Sequence, residues 1–282
     1  MPPDVALRDL AARGARVRFA LAGEGPPLLL VHDVLSSRAE WDDVLPALAA
    51  RARVIAPDLP GFGESEKPQA SKYGYDPETF AESLVDLVAS LDLVRVSICG
   101  HGLGASIALT LAARHASLVD RVVLVSPTVF APPRTALVRA GGLPVVGPVL
   151  FKQLAGRALF VRHFGVTAPR ARTLEHYEAF NTPAAREAAH ATLAHMRDPR
   201  PVAARLGSVR APVLVLGGRE DRAFLVEGRK LAQELSARFE VLECGPSPAE
   251  EVPDDFARAA LSFLREGETG KHRAPRRELR RA

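Results

Sequence analysis

The sequence predicts an α/β fold: a mostly parallel sheet covered by helices on both faces, with a helical insertion in the second half of the chain. Three observations carry this. Short apolar runs recur (Leu28 to Val31, Val54 to Ala56, Val122 to Val125, Val213 to Leu216), as expected for strands buried on both faces. Stretches with apolar residues at helical spacing alternate with them. Glycine- and proline-rich segments follow the runs, and ligands in such sheets bind at the carboxyl ends of the strands.

The elements follow in order. Arg16 to Ala22 alternates and reads as an edge strand, and Gly23-Glu24-Gly25-Pro26-Pro27 as a turn into the Leu28–Val31 strand. A helix is expected from about Trp41 to Ala50, then the Val54 strand, then a loop, Pro57 to Gly63. Asp76-Pro77 supplies an acidic N-cap with proline at the first helical position, and Phe80, Leu84, Leu87, Val88 and Leu91 mark that helix's apolar face. Val94 to Cys99 is a strand. Gly100 begins a tight turn into a helix from about Leu103 to His115. From about Pro127 to Leu206 no strand-like run stands out, and helical segments rich in alanine, arginine and histidine suggest an insertion. Strand Val213–Leu216, a helix near Leu225 to Leu235, strand Phe239–Leu242 and a helix Asp254–Leu264 complete the series. The expected division is a core of 1–126 and 207–266, a helical cap of 127–206, and a disordered basic tail of 267–282.

The chain has 282 residues, 47% of them hydrophobic, enough to bury a substantial core. Its net charge of +4 is local: from Lys271 onward six basic residues face one acidic residue, leaving the rest at −1. A nearly neutral body argues against nucleic acid as a partner, and the tail reads as a solvated terminus. No signal pattern and no apolar run long enough to span a membrane occurs, so the expected location is cytoplasmic. Cys99 and Cys244 are expected on strands too far apart in the sheet for a disulfide.

Several segments together resemble the capped branch of the α/β-hydrolase family, which includes esterases, carbon–carbon hydrolases, epoxide hydrolases and dehalogenases. They are Leu29-Leu30-Val31-His32, the run Ala56 to Ser65, Gly100-His101-Gly102-Leu103-Gly104, the run Val215 to Asp221, and Cys244-Gly245-Pro246-Ser247-Pro248. The match covers about Ala15 to Leu264. The resemblance implies a nucleophile at the centre of a Gly-x-Ser-x-Gly elbow, and that position is Gly102, which offers no hydroxyl, thiol or carboxylate. Holding an ordinary residue in the elbow conformation costs on the order of 1–3 kcal/mol, which glycine avoids. The resemblance places the base after a glycine in the last loop, and here Gly245 is followed by Pro246. A position that often holds a second histidine is Ala249, and no histidine lies between Gly207 and Lys271. Where the family has His-Gly beside the oxyanion amides, this chain has His32-Asp33. The acid position alone is filled, by Asp221, read as a leftover loop carboxylate, solvated or paired with Arg219 or Arg222. Losing the serine or histidine costs roughly 10⁶-fold in a serine protease.

Three functions stay open. The first is a catalytically silent homologue with a capped pocket for a small hydrophobic ligand, or with a protein partner. The second is an enzyme of altered chemistry, of lyase, isomerase or cyclase type, using Asp33 and His101 for proton transfer with Leu103 and His32 beside them. The third is weak ester or thioester hydrolysis. His32 and His101 also read as packed, hydrogen-bonded histidines, Ser106 as a packing residue, and Cys99 as core. His163, His176, His190 and His195 lack metal-ligand spacing and read as surface or capping residues. No cofactor or metal is expected. Gly61 to Ser65 lacks the lysine of a phosphate loop and reads as a structural turn.

Overall fold

Alternation of side chains builds the sheet's two faces. Along β3 (Pro27–Val31), Leu29 and Val31 pack into one apolar cluster while Leu28 and Leu30 pack into another on the opposite face. β4 (Arg53–Pro57) and β5 (Val96–His101) do the same, with Ile55 and Ile98 on the first side and Val54, Ala56 and Cys99 on the second. The computed structural model describes residues 4–130, Gly156, Phe160 and 170–266.

The eight strands run in the order β1-β2-β4-β3-β5-β6-β7-β8. β1 (Val5–Ala12), β2 (Ala15–Ala22) and β4 pair antiparallel, and the other pairs are parallel. β6 (Val119–Val125), β7 (Val213–Gly218) and β8 (Arg238–Leu242) extend it. The first face carries α2 (Pro77–Ser90), α3 (Leu103–Arg114) and α7 (Arg222–Glu234). The second carries Trp41, α1 (Leu45–Ala49) and α9 (Pro253–Arg265), with Phe256 packed against Trp41. The chain therefore has the α/β-hydrolase architecture the sequence predicts.

Two expectations need correction. Arg16–Ala22 is not an edge strand, because β1 lies outside it; Leu7 is 45% exposed and Val5 40%, so β1 carries little of the apolar signal that marks a strand. The expected helix from Trp41 to Ala50 is broken into a 3₁₀ turn, Arg38–Trp41, and the short α1, which carries Pro46 in its first turn. Cys99 and Cys244 are both buried and free, as their separation across the sheet requires.

Between β6 and β7, the described part of the segment expected as a cap contains α4 (Arg170–Phe180), α5 (Pro183–Met196) and α6 (Arg200–Ala203). Tyr177, Phe180, Ala188 and Leu193 join the same apolar cluster as the strand-end loop residues Leu59, Phe62 and Tyr75. Gly61 permits the approach: a Cβ there would meet that of Ala188 at 2.7 Å. His163 and the basic tail lie outside the described residues.

Candidate functional site

The turn from β5 into α3 builds the centre of the site. Gly102 has φ +51° and ψ −107°, in the left-handed region, where glycine alone is free of strain. On the C-terminal side, a Cβ on Gly104 would stand 2.1 Å from the Val31 carbonyl, so the frame glycine lets α3 sit directly on β3. The sharp elbow is thus present. What fills it comes from the loop after β3. A Cβ on Gly102 would lie 2.1 Å from Asp33 Oδ1 and 2.2 Å from its Cγ. The Asp33 carboxyl occupies the room a side chain at 102 would need.

Asp33 is held there by backbone donors. Its Oδ1 accepts hydrogen bonds from Leu103 N at 2.6 Å and Val34 N at 2.7 Å. Those amides, one following the elbow residue and one in the loop after β3, are the pair that forms an oxyanion hole in this architecture. The sequence suggested a carboxylate beside the hole; the structure puts one oxygen in it. Oδ2 accepts no hydrogen bond among the described residues, and Asp33 remains partly exposed. Burial is the largest influence on this carboxyl and pushes it above the usual range; Glu40 adds to the rise, while His101 and the two amides oppose it.

His101 is a strut. Its Nδ1 donates to Glu40 Oε1 at 2.6 Å and its Nε2 donates to the Pro246 carbonyl at 3.1 Å. Burial opposes the charged form, but the Glu40 carboxylate overrides it, and His101 is pushed up to about 10. Glu40 is pulled down to about 2 against its own burial by the same contact. An imidazolium donating from both nitrogens has no lone pair with which to take a proton. Ser126 Oγ also donates to the Pro246 carbonyl, at 2.9 Å, and Glu251 accepts from Gly245 N and Ser247 N at 2.7 and 2.9 Å. The final loop is fixed by its backbone.

The other predicted residues have structural partners. His32 is fully buried: Nε2 accepts from Leu59 N at 3.0 Å and Nδ1 donates to the Asp33 carbonyl at 2.7 Å, tying the ends of β3 and β4 together. Burial holds its pKa down, so the ring is neutral. Asp221 is half-buried and forms no ion pair with an arginine among the described residues. It caps α7, accepting from Ala223 N and Phe224 N at 3.0 Å each, while Arg219 pairs with Glu243. Ser106 is buried within α3.

Three residues escaped sequence reasoning. Glu40 is 3% exposed although it falls in a polar stretch. His176, expected on the surface, is 8% exposed on α4, with Nε2 at 3.3 Å from Glu250 Oε1 and 3.5 Å from Ser36 Oγ. Burial raises the Glu250 carboxyl above its usual range, opposed by His176. Asp33, Ser36, Glu40, His101, His176 and Glu250 ring a cavity of about 50 Å³ at the strand ends. Such a volume admits a few waters or a very small molecule. Val34, Leu35 and Phe160 complete the wall, so the lining mixes polar and apolar groups and differs from the apolar pocket the sequence suggested. Among the described residues no group of three or more His, Cys, Asp or Glu could hold a metal ion, and no helix is long and apolar enough to cross a membrane.

Residues 26–148 match the family model described as the alpha/beta hydrolase fold. Haloalkane dehalogenase 2 of Mycobacterium bovis is 31% identical, over 89% of this chain and 92% of that protein. A 2-hydroxy-6-oxo-6-(2'-aminophenyl)hexa-2,4-dienoic acid hydrolase of Metapseudomonas resinovorans is 27% identical over 91% of this chain and 90% of that one. An uncharacterised protein of Mycobacterium bovis is 42% identical over 125 residues, 44% of this chain, so the match spans only 35% of that protein's length. Among solved structures, a ligand-free epoxide hydrolase superposes with a TM-score of 0.79 at 26% identity, covering 93% of this chain and 99% of that one. From the fold, the elbow and these relatives together, the chain belongs to the α/β-hydrolase fold family.

Proposed function

We propose that this protein is a catalytically silent member of its family, in which the strand-end chamber serves binding rather than hydrolysis. One observation carries the reading: a single carboxylate oxygen, Asp33 Oδ1, accepts from both Val34 N and Leu103 N. The donors that would stabilise a developing oxyanion are engaged by a group of the same charge. Gly102 supplies no nucleophile, and the carbonyl of Pro246 engages His101 where the family's base would stand. The expected capped core-and-insertion organisation is part of this reading, with α4 contributing His176 to the chamber. The mixed, carboxylate-bearing lining favours a small ligand that carries hydrogen-bond donors beside an apolar part, in place of the wholly apolar ligand expected from sequence.

The test is a panel of p-nitrophenyl esters, thioesters, epoxides and haloalkanes at high protein concentration. The reading expects rates within a few-fold of the buffer background. Turnover that Asp33→Asn leaves intact would assign hydrolysis to another group and end this account.

A second reading has its own support. Asp33 Oδ2 carries no hydrogen bond among the described residues, and Asp33 lines the same cavity as the His176–Glu250 pair. A carboxylate and a carboxylate-paired imidazole around one small volume can move a proton within a bound substrate. In this version of the altered-chemistry enzyme the partner of Asp33 is His176, since both His101 nitrogens are engaged. Loss of a discovered isomerase or lyase activity in both Asp33→Asn and His176→Gln would favour it over the silent reading.

A further inference from the structure

We propose that Asp33 and Gly102 are one device: the Asp33 side chain is a tethered occupant of a preformed carboxylate seat, and it can sit there only because position 102 has no side chain. This deepens the silent reading of the same site and rests on it.

The seat is defined by backbone. Val34 N and Leu103 N, from two separate segments, converge on a single oxygen at 2.7 and 2.6 Å. Two amides aimed at one point provide a site for any small anionic oxygen, and the fold fixes their directions through β3 and the first turn of α3. The occupant's own backbone is pinned independently: Asp33 N donates to Glu40 Oε2 at 3.1 Å, and the Asp33 carbonyl accepts from His32 Nδ1 at 2.7 Å. A short tether of this kind gives the carboxylate an effective concentration far above that of free carboxylates in solution, so they do not displace it.

The second half of the device is steric. A Cβ at position 102 would lie 2.1 Å from Asp33 Oδ1, 2.2 Å from Cγ and 2.5 Å from Oδ2. All three atoms of the carboxyl group would have to move. Any residue larger than glycine therefore ejects the carboxylate, and the seated carboxylate excludes any larger residue. The two departures from the family pattern, at positions 33 and 102, are one structural event. The vacated seat would take a small monocarboxylate such as formate.

The experiment compares wild type with Asp33→Gly, Gly102→Ser and the double variant. Each is titrated with sodium formate at constant ionic strength, with chloride as control, and Tm is read. Asp33→Gly should gain a saturable rise of several degrees with formate and none with chloride, while wild type should show neither. Gly102→Ser should lower Tm sharply in the wild-type background and much less in the Asp33→Gly background; the backbone strain of a non-glycine at 102 is common to both and cancels. A folded Asp33→Gly protein that ignores formate, or additive effects of the two substitutions, overturns the proposal. Were Asp33→Gly not to fold, the native protein decides by NMR. The Val34 and Leu103 amide signals should follow one shared pH midpoint, and independent or absent titration overturns the device. None of these readouts requires turnover, so hydrolysis by wild type would sink the silent reading and leave this result standing.

Discussion

The elbow between β5 and α3 and the loop after β8 face each other across one cavity, and they differ in what holds them. At the elbow the constraints are backbone ones: Gly102 at positive φ, Gly104 against the Val31 carbonyl, two amides converging on one point. In the final loop a side chain would have to supply the chemistry, and position 246 is a proline whose carbonyl accepts from His101 and Ser126. The elbow is thus defined by its backbone, whereas the final loop is held by side chains that bond to its backbone. The two regions are also reached differently. Asp33 enters the elbow from the neighbouring strand end, and His101 reaches across to the loop.

His101 joins the two regions, so its partner should give the largest effect. Glu40→Ala removes the carboxylate that keeps the buried His101 ring charged and should destabilise the fold by about 3–5 kcal/mol in urea unfolding. The His101 resonances should then titrate far below about 10. A smaller loss would mean the strut is weaker than its 2.6 Å contact implies.

The same pair sets a pH window. His101 is raised above its ordinary 6.5, so its contribution is complete below 6.5 and is lost as pH rises toward 10. Glu40 is depressed below its ordinary 4.5, so its contribution is complete above 4.5 and is lost as pH falls toward 2. Both describe one contact and count once. Stability should plateau between these limits and fall above pH 6.5 by up to about 1 kcal/mol per pH unit, a slope that Glu40→Gln should flatten.

Asp221→Ala should cost about 1 kcal/mol, the value of a helix N-cap, and leave the chamber unchanged. A collapse of ligand binding in that variant would restore Asp221 to the site and break the contrast between the two regions. Arg219→Ala removes an ion pair with Glu243 whose side chains are 61% and 73% exposed, and should change stability by no more than about 0.5 kcal/mol.

The fold was legible wherever burial on both faces left an apolar run, as in β3, β4, β6 and β7. β1 was not, because it packs on β2 at the sheet edge with much of its surface in water. The elbow frame and the anomalies at 33, 102 and 246 were visible as departures from a pattern. Their connection was not, since it depends on which way the Asp33 side chain turns. Glu40, His176 and Glu250 could not be read at all. They come from a 3₁₀ turn, a helix of the insertion and the short α8 (Pro248–Glu251), and only tertiary packing brings them to one cavity.

The claim that no group in this chamber attacks a substrate is tested most directly by intact-protein mass after incubation with a fluorophosphonate, an activated ester and a small alkyl halide in excess. The account predicts unmodified mass with all three. A stoichiometric adduct mapping to Asp33, Ser36 or another chamber residue would contradict it.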